Sequence, residues 1–290
     1  MKRVRVSVPA TTSNLGPGFD VLGMALTLRM TLTLTAEGGQ RPLDRSNMVV
    51  RSFLAGLGRH PVPRGLAFDV RSDIPRSRGL GSSAAARLCG LLAAEALKGL
   101  TDEGFADAVA KACALEGHPD NAVPAAYGGL RSTLMAGAAP LHVEWPTPKD
   151  LGVAVCVPDY EVETERARAV LPAKVPLADA AANAARTVHL LGALKTGRLA
   201  ELGPAMRDSL HQPYRRRLLP GFDAALKAAA QAGAFGAALS GSGSAVLAFT
   251  PRGGVQARVA AAMVRAFGRA GKPARALTPD IDRTGAKVGR

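Results

Sequence analysis

The chain has 290 residues, 47% of them hydrophobic, enough for one large core or two smaller ones, and no run reaches the roughly 18 apolar residues of a membrane span. Its formal charge of +14 is spread over scattered cationic residues, and only 4% of the chain is aromatic, which leaves few stacking platforms for nucleic-acid bases but suits the steering of a small, strongly anionic ligand. Cys89, Cys113 and Cys156 are widely spaced without a CxxC pair, which argues against a disulfide framework or zinc site and predicts a soluble protein of the reducing cytoplasm.

Met1-Lys2-Arg3 leads directly into the alternating Val4-Arg5-Val6-Ser7-Val8, a strand pattern rather than the apolar helix of a signal peptide. A polar, turn-rich loop is expected over residues 11–20. Leu26, Leu28, Met30, Leu32 and Leu34 then alternate with polar residues as a half-buried strand, and Leu66, Phe68 and Val70 repeat the pattern. Helices are expected from Ser82 to about Lys98, ended by Gly99, and again after Thr101, with Asp102 and Glu103 at its positive end. The apolar stripe of this second helix, Phe105, Val109 and Cys113, continues to Glu116. Residues 135–150 carry Gly137, Pro140, Pro146 and Pro148 and place a domain boundary near 150, dividing 1–150 from 151–290. Beyond it, 151–157 alternates, alanine-rich helices cover 177–195 and about 222–232, and strands fall near 234–240 and 244–250. Strands that precede long helices predict an α+β fold rather than regular βαβ units.

Three loops carry candidate chemistry. In Pro75-Arg76-Ser77-Arg78-Gly79-Leu80-Gly81-Ser82-Ser83, glycines allow a tight turn with exposed amides, and the next helix begins with unpartnered N–H groups. That is a phosphate seat, although no lysine follows as in a Walker A loop; a plain turn and helix start uses the same residues. Ser240-Gly241-Ser242-Gly243 is a second Gly/Ser loop, fit to wrap an anion or to turn a hairpin. Asn14 and Asp20 lie in the first loop, able to meet an ammonium or hydroxyl group or to form Asx turns. Glu116 faces the domain on the helical wheel, so its carboxylate needs a partner, either a metal ion or a helix-end contact. His118 has no second histidine at metal-site spacing and reads as a structural hydrogen-bonding residue.

Together these segments resemble the GHMP kinases, most closely the homoserine kinase family, from residue 3 to about 286. The superfamily signal is Pro75-x-x-x-Gly79-Leu80-Gly81-Ser82-Ser83-Ala84. The narrower signal is 14–23 (NLGPGFDVLG), Glu116-Gly117-His118-Pro119-Asp120-Asn121, Pro213-Tyr214-Arg215 with Leu219-Pro220-Gly221, Ser240-Gly241-Ser242-Gly243, and Asp282-x-x-Gly285-Ala286. The resemblance implies a ribosomal-protein-S5-like N-terminal domain, a ferredoxin-like C-terminal domain, and ATP bound between them. It implies that the loop from Pro75 through Arg76, Ser77 and Arg78 to Ser83 holds ATP, with Asn47 near adenine, and that Ser82 and Glu116 hold Mg²⁺. L-Homoserine would lie against Asn14, Asp20, Asp120, Asn121 and Thr164, its carboxylate on Arg168 and Arg215, with Asp20 binding substrate first and serving as base second. A homodimer is a further implication; nucleic acid and membrane are not expected partners. Two positions depart from the family pattern: Ser244 stands where proline is common, and Arg87 where a small or apolar residue is usual. The rival readings are a GHMP kinase for mevalonate or a sugar, and a phosphate- or nucleic-acid-binding protein without activity. A mevalonate or sugar substrate would not need both Asp20 and the Arg168/Arg215 set, and a binding protein leaves Glu116 and the second domain without a role.

Overall fold

The computed structural model describes residues 3–36 and 43–289, so the expectation resting on Met1 and Lys2 lies outside the described residues. In chain order the first half comprises β1 (Arg3–Asn14), β2 (Gly18–Ala36), α1 (Met48–Leu57), β3 (Leu66–Ser72), α2 (Ser82–Lys98), α3 (Asp102–Glu116), α4 (Ala122–Tyr127), β4 (Leu130–Ala136) and β5 (Ala139–Trp145). The second half comprises β6 (Leu151–Pro158), α5 (Thr164–Ala169), α6 (Leu177–Thr196), α7 (Leu202–Ala205), α8 (Gln212–Arg215) and α9 (Phe222–Gln231). It ends with β7 (Gly236–Leu239), β8 (Val246–Pro251), α10 (Gly254–Arg269), β9 (Ala274–Leu277) and β10 (Lys287–Gly289).

The first sheet has the order β10-β1-β2-β4-β5, with β3 also on β2, and the second has the order β7-β8-β6-β9. All their pairings are antiparallel. In the second sheet the strand–helix–strand–strand–helix–strand sequence gives the ferredoxin-like arrangement.

Local chemistry accounts for the helices around the cleft. Gly99, at φ 95°, ends α2 in the left-handed region. The Thr101 hydroxyl then accepts the Gly104 amide at 3.0 Å and caps α3. The expected 11–20 loop is instead largely strand, since β1 runs through Asn14 and β2 starts at Gly18. The polar residues there stay extended because neighbouring loops complete their hydrogen bonds: Thr11 N donates to Leu80 O at 3.2 Å, and Gly241 N donates to Ser13 O at 3.1 Å.

The alternation in 151–157 also differs in meaning from that of a half-buried strand, because every residue of β6 is buried. Val153 and Val155 join a core containing Val6, Leu32, Phe53 and Leu88. Ala154 and Cys156 face a second core with Phe222, Met263 and Phe267. The strand therefore separates two cores instead of core from water. Asp282 closes the molecule by pairing with Arg29 and accepting the Gly285 amide at 2.9 Å, which sets β10 against β1.

Candidate active site

Three backbone segments meet at one cleft of about 170 Å³ between the two sheets. Gly79 and Gly81 both take positive φ, and a Cβ on Gly81 would lie 2.0 Å from Thr11 Oγ1. A Cβ on Gly79 would lie 2.0 Å from Ser240 O, so glycine is what lets the two glycine-rich loops touch. Ser240 Oγ donates to Gly79 O at 2.7 Å and lies 2.9 Å from Thr12 Oγ1, locking all three segments together. Gly81 starts α2 without a side-chain cap, which leaves the helix's amide end available to an anion. Ser77, Asn14, Leu15 and Asp20 also have positive φ, unusual for non-glycine residues, and all but Leu15 line the cleft.

The opposite wall is charged and nearly self-paired. Arg168 forks onto Asp20 through contacts of 3.0 and 2.8 Å, and this pairing raises its pKa against the effect of burial. Asn14 Oδ1 accepts the Asp20 amide at 3.1 Å, and its Nδ2 donates to Gly241 O at 2.9 Å. Asp20, His118 and Asp120 each bring one ligand atom within 4.8 Å of the others. His118 is bonded to Asp120; burial disfavours its charge, but the Asp120 bond and the nearby carboxylates outweigh burial and raise its pKa. Asn121 accepts from Thr11 Oγ1 at 2.8 Å and donates to Ser13 Oγ and Asp120 Oδ1.

Arg215 differs from Arg168 in having no acid. It is 2% exposed, and among the described residues it bonds only Ala167 O, His211 Nδ1 and Gly241 O, at 3.1, 3.2 and 3.1 Å. Burial, then the Arg168 charge, lowers its pKa to about 10, which still leaves it cationic near neutrality. Of the three consecutive arginines it alone lines the cleft; Arg216, 55% exposed, pairs outward with Asp223.

Sequence reasoning missed His211 and Asp208, although His211 precedes Arg215 by one helical turn, a spacing that places both on one face. His211 Nε2 donates to Gly16 O at 2.8 Å while Nδ1 accepts from Arg215, a network that assigns the neutral ring. Burial lowers its pKa to about 4, and Phe19 stacks on it at 5.2 Å. Asp208 accepts the amides of Leu210, His211 and Gln212.

Glu116 lies at the end of α3 facing the glycine-rich helix, its side chain 8% exposed. Ser83 Oγ donates to Oε2 at 2.9 Å; Oε1 is buried without a hydrogen-bond partner. Oε1 lies 2.8 Å from Arg87 Nε in an ion pair, and this carboxylate with the Ser82 hydroxyl in the same cleft is a hard-oxygen donor set that fits Mg²⁺.

The structure thus gathers Asn14, Asp20, Ser77, Gly79, Gly81, Ser82, Ser83 and Glu116 from the first half. Asp120, Asn121, Thr164, Arg168, Arg215, Gly241 and Ser242 line the cleft too, as do Ser13, His118, Val162 and Glu163. Pro75, Arg76 and Arg78 line a neighbouring cavity of about 550 Å³ with Val157, Pro158 and Arg275. Asn47 lies outside both, its Oδ1 accepting Val49 N as the N-cap of α1. Leu80 and Ser240 are buried, and Gly243 stands in the turn against Leu219 and Leu239. Ser244 is buried too, its hydroxyl bound to Tyr160 O at 2.6 Å, which ties down the turn that lacks the usual proline.

Residues 47–129 match the model of the GHMP kinases N-terminal domain, and residues 190–270 match that of the GHMP kinases C-terminal domain. The chain is 43% identical over 280 residues to a homoserine kinase of Moorella thermoacetica, covering 92% of this chain and 93% of that one. It is 40% identical over 304 residues to a homoserine kinase of a Synechococcus species, covering 99% and 98%. The crystal structure of homoserine kinase from Cytophaga hutchinsonii superposes with a TM-score of 0.87 at 28% identity, over 100% of this chain and 98% of that one. Mevalonate kinase of L. major shares the fold, with a TM-score of 0.69 at 17% identity over 95% and 96%.

Proposed function

The chain belongs to the homoserine kinase family of the GHMP kinases, and from that premise we propose that its cleft phosphorylates the side-chain hydroxyl of L-homoserine. The products are O-phospho-L-homoserine and ADP, a step toward threonine. The observation that carries the substrate reading is Arg215, a buried cation with no acid partner among the described residues, lining the same cleft as Asp20 and Asp120. A buried, unpaired guanidinium is costly unless a ligand supplies the anion. An amino acid presents a carboxylate and an ammonium group at fixed separation, matching a cleft lined by both cations and carboxylates. Mevalonate and sugars lack the ammonium group that would pair with Asp20 and Asp120.

In this reading the carboxylate of homoserine meets Arg215 and Arg168, its ammonium meets Asp20 and Asp120, and Asn14, Asn121 and Thr164 fix its orientation. The triphosphate of ATP lies along the loop at residues 75–83, on the uncapped amide end of α2, with Ser240, Gly241, Ser242 and Gly243 closing over it. Preorganised amides act on charge that spreads over the transferred group in line between two oxygens. Ser82 and Glu116 would hold Mg²⁺, which supplies neutralisation of phosphate charge when bound. Asp20 serves first to bind the ammonium group; acceptance of the hydroxyl proton is its second role, available once its fork to Arg168 opens.

The same reading puts the domain division at residue 150, in the link between β5 and β6. It also implies a homodimer, which sedimentation velocity would test, and a cytoplasmic location, compatible with three buried free thiols. Steady-state assays with Mg²⁺ and ATP test the substrate reading. Arg215→Met should raise KM for L-homoserine about a hundredfold and leave KM for ATP within about threefold, as expected for loss of a buried charge pair to one substrate. Equal losses for both substrates in a folded variant would remove Arg215 from substrate recognition.

A further inference from the structure

Arg87 lies one turn after Ser83 on α2, so both side chains meet α3. Its Nε is 2.8 Å from Glu116 Oε1, the oxygen that Ser83 leaves unused. The contact is one of charge rather than a directed hydrogen bond. Arg87 Nη1 and Glu116 Oε1 are both buried, and neither has a hydrogen-bond partner among the described residues. Arg87 does not line the cleft; it stands behind the carboxylate, with its side chain 22% exposed.

We propose that Arg87 is a positioning residue that acts as a resident counter-charge, holding Glu116 neutralised in the free protein so that a divalent cation enters with the nucleotide rather than alone. The inference rests on the reading of Glu116 as a cation ligand. A dication approaching Glu116 meets repulsion from a guanidinium a few ångströms behind it. Polyphosphate on the loop at residues 79–83 adds negative charge on the other side and reverses the balance. Oε1 is then the oxygen that Arg87 and the cation share, and the arginine prevents Glu116 from folding away from the cleft when no cation is present.

The test is Mn²⁺ binding, followed by electron paramagnetic resonance on the full chain, with and without a non-hydrolysable ATP analogue. The wild type should bind Mn²⁺ weakly alone and tightly with the analogue. Arg87→Met should tighten Mn²⁺ binding in the absence of nucleotide by about tenfold or more, the effect of removing a nearby unit charge. Arg87→Lys, which keeps the charge, should stay close to wild type, and adding Glu116→Gln to Arg87→Met should abolish the gain. Arg87→Gln serves as a second neutral variant if the methionine variant fails to fold. A folded neutral variant that binds Mn²⁺ no tighter than wild type would overturn the proposal. Nucleotide-dependent Mn²⁺ uptake that survives Glu116→Gln unchanged would overturn the cation reading of Glu116 itself, and this inference with it.

Discussion

Asp20 and Arg168 show how charges in the cleft can serve recognition before any ligand arrives. Each satisfies the other through a two-pronged contact, so a ligand must exchange that internal pair for contacts of its own. A zwitterion can replace both halves; a hydroxy acid replaces only one. Asp20→Asn should therefore lower kcat/KM for L-homoserine by about tenfold or more. The same change frees Arg168 and should tighten binding of 4-hydroxybutanoate, a carboxylate without the ammonium group, measured by calorimetry. Weaker binding of both compounds would show that the pair is only structural. His211 makes a second residue-scale prediction. Its pKa near 4 in the folded chain lies below its ordinary 6.5, so between those values the unfolded chain binds more protons. The stability is fully present above the ordinary value and falls as the pH drops toward the folded value, by about 3 kcal/mol. Urea midpoints measured across that window should fall with pH in the wild type and fall less in His211→Gln.

At the scale of elements, the glycine-rich turn into α2 connects local geometry to the site most tightly. Gly81 combines φ 67° with a contact that leaves no room for a side chain against Thr11, and Thr11 in turn orients Asn121. Gly81→Ala should cost about 2 kcal/mol or more in thermal or denaturant unfolding and reduce activity further than its stability loss explains. A variant as stable and active as wild type would refute the close packing described. This helix was legible from sequence because its start, apolar content and terminal Gly99 all agree with one another. The start of β2 was not, because Gly16, Pro17 and Gly18 read as loop, although Asn14 and Gly18 are strand partners across a tight turn. The burial of β6 on both faces was equally hidden, since alternation reports two faces but not what covers each one. Among the cleft residues, those in glycine-bearing motifs were found from sequence. His211 and Asp208 were not, because their importance lies in what they hold: Gly16, Arg215 and the turn before α8.

On the scale of the molecule, two sheets with separate strand orders share one continuous apolar core. Val4 and Leu32 of the first sheet belong to the same cluster as Val155 and Phe249 of the second, and β10 carries the end of the chain back to β1. The core therefore runs across residue 150, and the two halves are expected to unfold together. Trp145, the single tryptophan, sits in β5 of the first sheet, whereas far-ultraviolet circular dichroism reports all helices. The two signals should give coincident urea transitions for a single cooperative unit; well-separated midpoints would contradict the shared core. Arg78 adds a polar clasp across the same junction through Pro158 O at 3.0 Å and Glu161 at 3.0 Å. Part of that clasp is exposed, so it should add less to stability than the apolar core does.

The cleft's main claim is that an amino-acid hydroxyl receives the phosphoryl group. The most direct measurement is ADP release by the purified protein with ATP and Mg²⁺, offered L-homoserine, L-threonine, mevalonate, galactose or no acceptor, with the product identified by phosphorus NMR. The account predicts stimulation by L-homoserine and a resonance of O-phospho-L-homoserine. Release above the blank with mevalonate or galactose but not with L-homoserine would contradict it, as would folded protein that stays silent with every acceptor.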